Sequence, residues 1–270
     1  MRTRALAIAV TTGLVLTLAP ATAHAAKKPT FKLSISTSRS VADVGQTIAI
    51  SGKVSGPKAA KKRLLVQRKV GGGAWKTVRK ITTTSKRRYA TTVPVTTAGQ
   101  QYLRVVAPKS KKARAGSSTA RGFVGWRWLD AGASAATDGL TRGSLRIDGK
   151  VHAPTYVPTQ HNDDGYLFID TGRSCDALVA GLAVEAPTAN QAMVYVFQGR
   201  SITDDPESFS VKMVSGNSGV VETRWPIKRQ SSLVAMMVDE NTDNAAQSAG
   251  LIKPRVHCSV NALPQAVLPL

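Results

Sequence analysis

The chain has 270 residues, of which 42% are hydrophobic and 20% charged, and this balance excludes a disordered acidic or low-complexity protein. Lysine and arginine total 37 against 16 aspartates and glutamates, so the formal net charge is +21. Residues 27–122 carry 23 basic side chains and one acidic side chain, Asp43, whereas residues 123–270 carry a small negative excess. This abrupt change predicts a domain boundary near residue 120, in a length that accommodates two ordinary domains.

Residues 1–25 have the features of a secretory signal peptide. Arg2 and Arg4 precede an apolar stretch over residues 5–20, and Ala23-His24-Ala25 supplies the small residues that signal peptidase accepts. The alternative is a retained membrane anchor, but the stretch is short and contains threonines and a glycine, whereas a spanning helix needs about 20 predominantly apolar residues. We therefore predict a secreted, extracellular protein that non-covalent binding can hold at the cell wall.

The first block has the pattern of a series of short alternating strands. Five runs with apolar residues on one parity follow one another at regular spacing, separated by turn residues such as Gly71-Gly72-Gly73 and Ala98-Gly99, a pattern typical of a β-sandwich. The runs cover residues 47–54, 63–70, 75–83, 89–95 and 101–107. Trp75 follows a glycine turn in one of them, so we expect it in the core rather than on a ligand platform.

The sequences GQTIAISGKVSG, LLVQRKVGGGAWKTVRKITTTS and YATTVPVTTAGQQYLRVV resemble bacterial immunoglobulin-like domains of the kind repeated in exported actinobacterial proteins. The resemblance covers about residues 30–107 and implies a basic immunoglobulin-like domain at 27–107. The following residues, 108–122, are basic and small, a composition that predicts an irregular linker.

The second block contains about nine strand-like runs, among them residues 144–152, and no long helical periodicity, which favours a jelly-roll sandwich. The order of its features resembles the carbohydrate-binding module associated with glycoside hydrolase family 98, a galactose-binding-like jelly roll. The segments that carry this resemblance are Trp128-Leu129, 142–156, 174–187, 231–240 and 254–260. It implies a carbohydrate-binding-type jelly roll over 123–264. The fold class predicted for the whole chain is all-β, with an immunoglobulin-like sandwich followed by a jelly roll.

Cys175 and Cys258 are the two cysteines of the chain. In an exported protein a pair without competitors forms a disulfide. A zinc site would need two further ligands, and only His257 lies beside either cysteine. The disulfide is therefore favoured over a metal site or a reactive thiol.

Motifs for catalysis are largely missing from the sequence. It has no Gly-x-Ser-x-Gly elbow, His-Glu-x-x-His, phosphate loop or dinucleotide fingerprint, so we predict a protein that is not an enzyme and needs no cofactor. Two segments resemble metal loops, His161–Gly165 and Asp239-x-Asn241-x-Asp243, and both are interpreted as inter-strand turns because turn-forming Asp, Asn and Gly dominate them. No metal site is predicted.

Two functions from different classes are favoured over a third, a hydrolase with an unmarked site. The leading one is glycan recognition by the jelly roll, which needs an exposed aromatic ring. Tyr156, between two prolines, and Trp225, beside Pro226, are the weak candidates for that ring, and a packing role is open for both.

The alternative is a cationic envelope protein that binds an anionic polymer, such as a teichoic or uronic polymer or extracellular DNA, through its first domain. Nucleic-acid binding would be nonspecific, because few aromatics accompany the charge. Antiparallel strands reverse direction, so three basic loops should meet at one end of the sandwich, which we expect to face the linker and the second domain. The candidate binding residues are Lys58, Lys61, Lys62, Arg63, Lys86, Arg87, Arg88, Lys109, Lys111, Lys112 and Arg114.

Overall fold

The computed structural model describes residues 28–159, 164–185, 191–200, 208–215, 218–239 and 248–268. The described chain is built from β-sheets whose strands pair antiparallel, except that β3 (Val41–Asp43) pairs with β10 (Arg121–Asp130) in parallel, with one short 3₁₀ turn at Ala131–Ala133. In these residues no helix is long and apolar enough to cross a membrane. The predicted signal peptide lies outside the described residues, as do residues 161–163 and 240–243 of the two segments weighed as metal loops.

The N-terminal sandwich packs a small sheet against a larger one. Strands β1 and β2 both pair with β4, and β7 pairs with the other edge of β4; the facing sheet runs β10-β8-β5-β6. The bounds are β1 Lys32–Leu33, β2 Ser36–Thr37, β3 Val41–Asp43, β4 Thr47–Ser55, β5 Arg63–Val70, β6 Lys76–Thr82, β7 Arg88–Pro94, β8 Gly99–Ala107, β9 Gly116–Ser117 and β10 Arg121–Asp130.

Alternation decides which side chains enclose the first core. On β4 the side chains of Ile48, Ile50 and Val54 are buried and those between them are not, because successive residues of a strand point to opposite faces. Leu64 and Leu103 lie in the same hydrophobic cluster from the facing sheet. The five predicted strands of this block are therefore confirmed, to within two residues at each end.

Strand β10 belongs to both halves of the chain. Its first half pairs with β8, from Arg121 opposite Leu103 to Gly125 opposite Gly99, and its second half pairs with the last strand of the chain, from Arg127 opposite Cys258 onward. The segment 108–122, whose composition predicts an irregular linker, contains the two-residue strand β9, which pairs with the end of β8, and the start of β10.

The C-terminal sandwich encloses a second hydrophobic cluster between two sheets. One sheet contains β12-β13-β20-β15-β18 together with the second half of β10, and the other runs β11-β14-β19-β16-β17. The bounds are β11 Ala136–Asp138, β12 Leu140–Ile147, β13 Lys150–Pro158, β14 Gly165–Asp170, β15 Cys175–Glu185, β16 Gln191–Gly199, β17 Ser208–Ser215, β18 Val221–Pro226, β19 Leu233–Asp239 and β20 Ser248–Cys258.

One strand prediction in this half is wrong. The pattern of residues 144–152 predicts a single strand, but these residues form the hairpin between β12 and β13, with Ile147 opposite Lys150. Asp148 and Gly149 both have positive φ, 49° and 75°, which is the backbone that a two-residue hairpin turn requires. The Asp-Gly pair is the sequence signal for this reversal.

The predicted disulfide is confirmed. Cys175 and Cys258 are bonded at a sequence separation of 83, and they stand opposite each other on the neighbouring strands β15 and β20. Both are buried in the second hydrophobic cluster. The bond therefore closes the C-terminal sandwich on itself, from its fifth strand to its last.

Replacing both cysteines by alanine should lower the free energy of unfolding by about 4 kcal/mol, because a closed loop of this length restricts the unfolded chain by about that amount. Urea unfolding followed by circular dichroism measures the change, with the reduced native chain as control. An unfolding free energy within about 1 kcal/mol of the native value would contradict the loop-closure account.

Candidate functional site

The two aromatic residues proposed for glycan stacking are not available for it. Tyr156 is 3% exposed and Trp225 is 5% exposed, and both belong to the hydrophobic core of the C-terminal sandwich. Pro154 lies within β13, and Pro226 ends β18. Of the two roles that the sequence left open, the structure therefore supports packing, because both side chains lie on the inner face of their strands.

Trp75 departs from prediction in the opposite direction. It lies just before β6, is only half-buried, and has the guanidinium of Arg104 at 4.2 Å from its ring centroid. It packs on the outside of the N-terminal sandwich rather than in the core. A cation over an aromatic face stabilises both side chains modestly, so this ring is covered rather than free to stack on a ligand.

The junction between the sandwiches is built around His257, which the sequence marks only as a neighbour of Cys258. Its Nδ1 lies 2.7 Å from Oδ1 of Asp176 in the C-terminal sandwich, and its Nε2 lies 3.1 Å from Oδ1 of Asp43 in the N-terminal sandwich. The ring also stacks on Trp126 at 5.1 Å and contacts Trp128 at 4.9 Å. The imidazole thus joins one carboxylate from each half of the chain.

The junction has the character of a structural contact. The His257 ring lies between the two carboxylates instead of converging with them on a common point, and no three His, Cys, Asp or Glu side chains of the described chain are placed to hold a metal ion. A second contact supports it, in which Asn261 Oδ1 accepts from Thr97 Oγ1 and the Ala98 N–H. Asp43, the one acidic residue of the first block, therefore contacts His257 at this junction.

The predicted convergence of the basic loops is found at the other end of the N-terminal sandwich. Thr83 ties the first two loops together: its N–H donates to the Lys62 carbonyl at 3.0 Å, its hydroxyl donates to the Ala59 carbonyl at 2.7 Å, and its Oγ1 accepts from the Lys62 N–H at 2.8 Å. The loop at 58–62 is thereby held against the loop at 84–88.

The third basic segment reaches the same end. Phe31 N–H donates to the carbonyl of Arg114, and the Lys62 ammonium lies 4.7 Å from the centroid of the Phe31 ring. A depression of about 350 Å³ is lined by Lys58 and Lys62 from the first loop and by Lys111 and Lys112 from the third. We call this end, with the eleven predicted residues and their neighbours Lys32 and Lys53, the basic pole.

The direction in which the basic pole faces differs from the prediction. The strand order predicts a pole that faces the second domain, but the C-terminal sandwich contacts the opposite end, at Thr97, Ala98 and Asp43. After β8 the chain turns back through the third basic segment and runs antiparallel along β8 as β9 and then β10, which carries it roughly 25 Å away from the pole. The C-terminal sandwich therefore leaves the pole uncovered.

Three residues of the pole have an unfavourable backbone. Lys58, Lys61 and Arg87 have φ of 52°, 53° and 59°, the left-handed region that costs about 1–2 kcal/mol for a residue with a Cβ. Glycine would occupy it without that cost. Such outliers cluster at functional positions in proteins, and here they place long basic side chains at the tips of tight turns.

A groove leads from the pole along the outer face of β4. Three adjoining depressions of about 500, 550 and 470 Å³ share lining residues: Ser34 and Lys53 are common to the first two, and Ser36, Ser51 and Ala90 to the last two. We call this feature the β4 groove. Lys32, Lys53, Lys86, Arg87 and Arg88 line its polar end, and Ser36, Ser38, Ala49, Ser51, Ala90 and Thr92 line the rest.

Tyr89 and Gly52 fix the floor of the β4 groove. The buried Tyr89 hydroxyl donates to the Ser34 carbonyl, and a Cβ on Gly52 would collide with that same carbonyl oxygen. Burial raises the pKa of Tyr89 to about 12. The small residue at 52 is therefore required by the close approach of the Ser34 backbone and the Tyr89 ring.

No protein-family model matches the chain, and no curated protein matches its sequence. The resemblances to an immunoglobulin-like domain and to the carbohydrate-binding module remain predictions from the residues quoted above.

Replacing Arg87 by glycine should raise the free energy of unfolding by about 0.5–1 kcal/mol, because relief of the left-handed backbone exceeds the entropy cost of glycine. Arg88→Gly is the matched control: it removes the same charge from the adjacent residue, which begins β7 without a positive φ. There glycine should destabilise the strand. Urea unfolding of both variants decides the point, and equal destabilisation would refute the strain at Arg87.

The free energy of unfolding should fall as the pH rises from about 10 to about 12, and Tyr89→Phe should make this decrease smaller. Because the folded pKa of Tyr89 is about 12 against an ordinary value of 10.0, the stabilisation is complete below the unfolded pKa and is lost as pH rises towards the folded one. Unfolding midpoints across this range measure it. The half-buried Tyr102→Phe is the control, and an identical profile for the two variants would exclude Tyr89 as the cause.

Proposed function

We propose that the chain is a secreted, non-catalytic binding protein that attaches to an anionic polymer of the cell envelope through the basic pole. The observation that carries this proposal is the convergence of three basic loops at the end of the N-terminal sandwich that the rest of the described chain leaves open. Nonspecific binding of extracellular DNA follows from the same charge.

The charge balance supports binding rather than mere solubility. The only carboxylate side chain among residues 27–122, Asp43, lies at the junction beside His257, so no acidic side chain of this block neutralises the pole. Like charges gathered at one end repel one another, a cost that dispersed charges would avoid. A polyanion offsets that repulsion, and the release of its condensed counterions drives binding.

We further propose that the sandwiches are an immunoglobulin-like domain and a jelly roll, which the two separate hydrophobic clusters support. In this arrangement the jelly roll fixes the orientation of the immunoglobulin-like domain through the shared strand β10. Glycan stacking on Tyr156 or Trp225 is not part of the proposal, because both rings are buried.

Replacing Lys61, Lys62, Arg87 and Arg88 by glutamine together should weaken retention on duplex DNA, used as a calibrated polyanion, and on glycerol-phosphate polymer. The slope of log K against log salt is negative, and each phosphate that the protein no longer neutralises reduces its magnitude by about 0.9 on duplex DNA. Removal of the four basic side chains should therefore reduce that magnitude by about 3–4. Retention of the purified chain between about 50 and about 200 mM salt measures it.

The matched control replaces Arg39, Arg68, Lys69 and Lys76 by glutamine, which removes the same charge away from the pole: Arg68 and Lys76 pair at the far end of β5 and β6, and Arg39 bonds Gln46. Lys32 is not used in the control set because it belongs to the basic pole, where it stands opposite Ser55. The control should change the slope by less than about 1. Equal decreases for the two sets would show that net charge alone matters and would overturn the proposal.

A further inference from the structure

We propose that the β4 groove accommodates one extended chain of a hydroxylated phosphate polymer, a polyol phosphate, with phosphates at the basic pole and hydroxyl groups along the floor. The inference rests on the proposed function, since the pole is the end at which such a chain would enter. It adds a second contact surface and names the class of polymer that the pole selects.

The dimensions of the groove fit a single chain. The depressions follow β4 from Ser55 to Ala49, a length of about 20 Å at the rise of a β-strand. The flanking strands β2 and β7 pair on either side of β4, so the sheet face that the depressions cover is about 10 Å across, two strand spacings. One extended chain can lie along this face.

The groove changes in chemistry along its length. At the pole Lys53 and Arg88 stand directly opposite each other on β4 and β7, and both are exposed. Two residues further along, Ser51 stands opposite Ala90 and also opposite Ser36 on β2. Beyond them Ala49 stands opposite Thr92. A cationic pair is thus followed by a row of small neutral side chains.

These two parts suit different groups of one ligand. Ammonium and guanidinium groups bind phosphate, with arginine able to donate two parallel hydrogen bonds. Serine and threonine hydroxyls both donate and accept, so they match the hydroxyls of a polyol. No aromatic side chain other than the buried Tyr89 lines the described groove, whereas single-stranded nucleic acid is held by stacking on exposed aromatics.

The test separates the groove from the pole by filling the groove without changing charge. Ala90 is exposed at its centre, so Ala90→Trp should obstruct the polymer while the fold remains intact. Thr77→Trp, at an exposed position of β6 outside the groove, is the matched control. Circular dichroism and the urea midpoint establish that both variants fold.

The probes are a glycerol-phosphate oligomer and inorganic polyphosphate of equal charge, with binding of the purified chain measured by fluorescence anisotropy. Ala90→Trp should weaken binding of the glycerol-phosphate oligomer by about tenfold, the effect of removing one or two hydrogen bonds. Polyphosphate, which has no hydroxyl groups to place on the floor, should change by less than about twofold, and Thr77→Trp should alter neither probe.

The possible failures are distinct. If Ala90→Trp binds both probes as the native chain does, while the fourfold pole variant binds neither, the groove inference is overturned and the proposed function stands. If Ala90→Trp weakens the binding of both probes equally, the floor of the β4 groove does not bind the hydroxyl groups of the polymer, and the polyol assignment is overturned. If the native chain binds neither probe at about 50 mM salt, the proposed function fails as well.

Discussion

The arrangement of the whole chain depends on strand β10, which two sheets share. Its hydrogen bonds to β8 make it part of the N-terminal sandwich, and its hydrogen bonds to β20 make it part of the C-terminal one. Because an antiparallel ladder fixes register and direction residue by residue, one continuous strand fixes the two sandwiches against each other. A flexible linker would have left that relation open.

Side chains reinforce the shared strand at the point where it changes partner. His257 joins Asp43 to Asp176, and it is adjacent in sequence to Cys258, whose disulfide partner Cys175 is in turn adjacent to Asp176. The disulfide therefore holds the histidine and one of its carboxylates on neighbouring strands. Covalent, hydrogen-bonding and stacking contacts thus act on the same few residues, which gives the junction its rigidity.

The junction also determines the electrostatics of the first block. It occupies one end of the N-terminal sandwich and takes up Asp43, and the opposite end is left with uncompensated lysine and arginine side chains. Those side chains stand on turns, three of them on left-handed backbone that glycine would adopt more readily. Each of these three residues costs about 1–2 kcal/mol of backbone free energy relative to a right-handed conformation.

The sequence was sufficient for features that depend on local physics. Alternation of apolar residues located β4, β5 and most other strands, since burial of one face imposes a period of two, and a pair of cysteines without competitors indicated the disulfide. Reversal of successive strands also brought the basic loops Lys58–Arg63 and Lys86–Arg88 to one end, because hairpin connections alternate between the two ends of a sandwich.

Only the tertiary structure decided where that pole faces and which aromatic rings are exposed. The route of the chain after β8 depends on which edge of β8 is free, a pairing that leaves no periodic signal in residues 108–122. Tyr156 and Trp225 are buried because a second sheet covers their strand faces. His257 joins the two sandwiches without any local motif, because its partners Asp43 and Asp176 lie far apart in sequence and meet only through the shared strand.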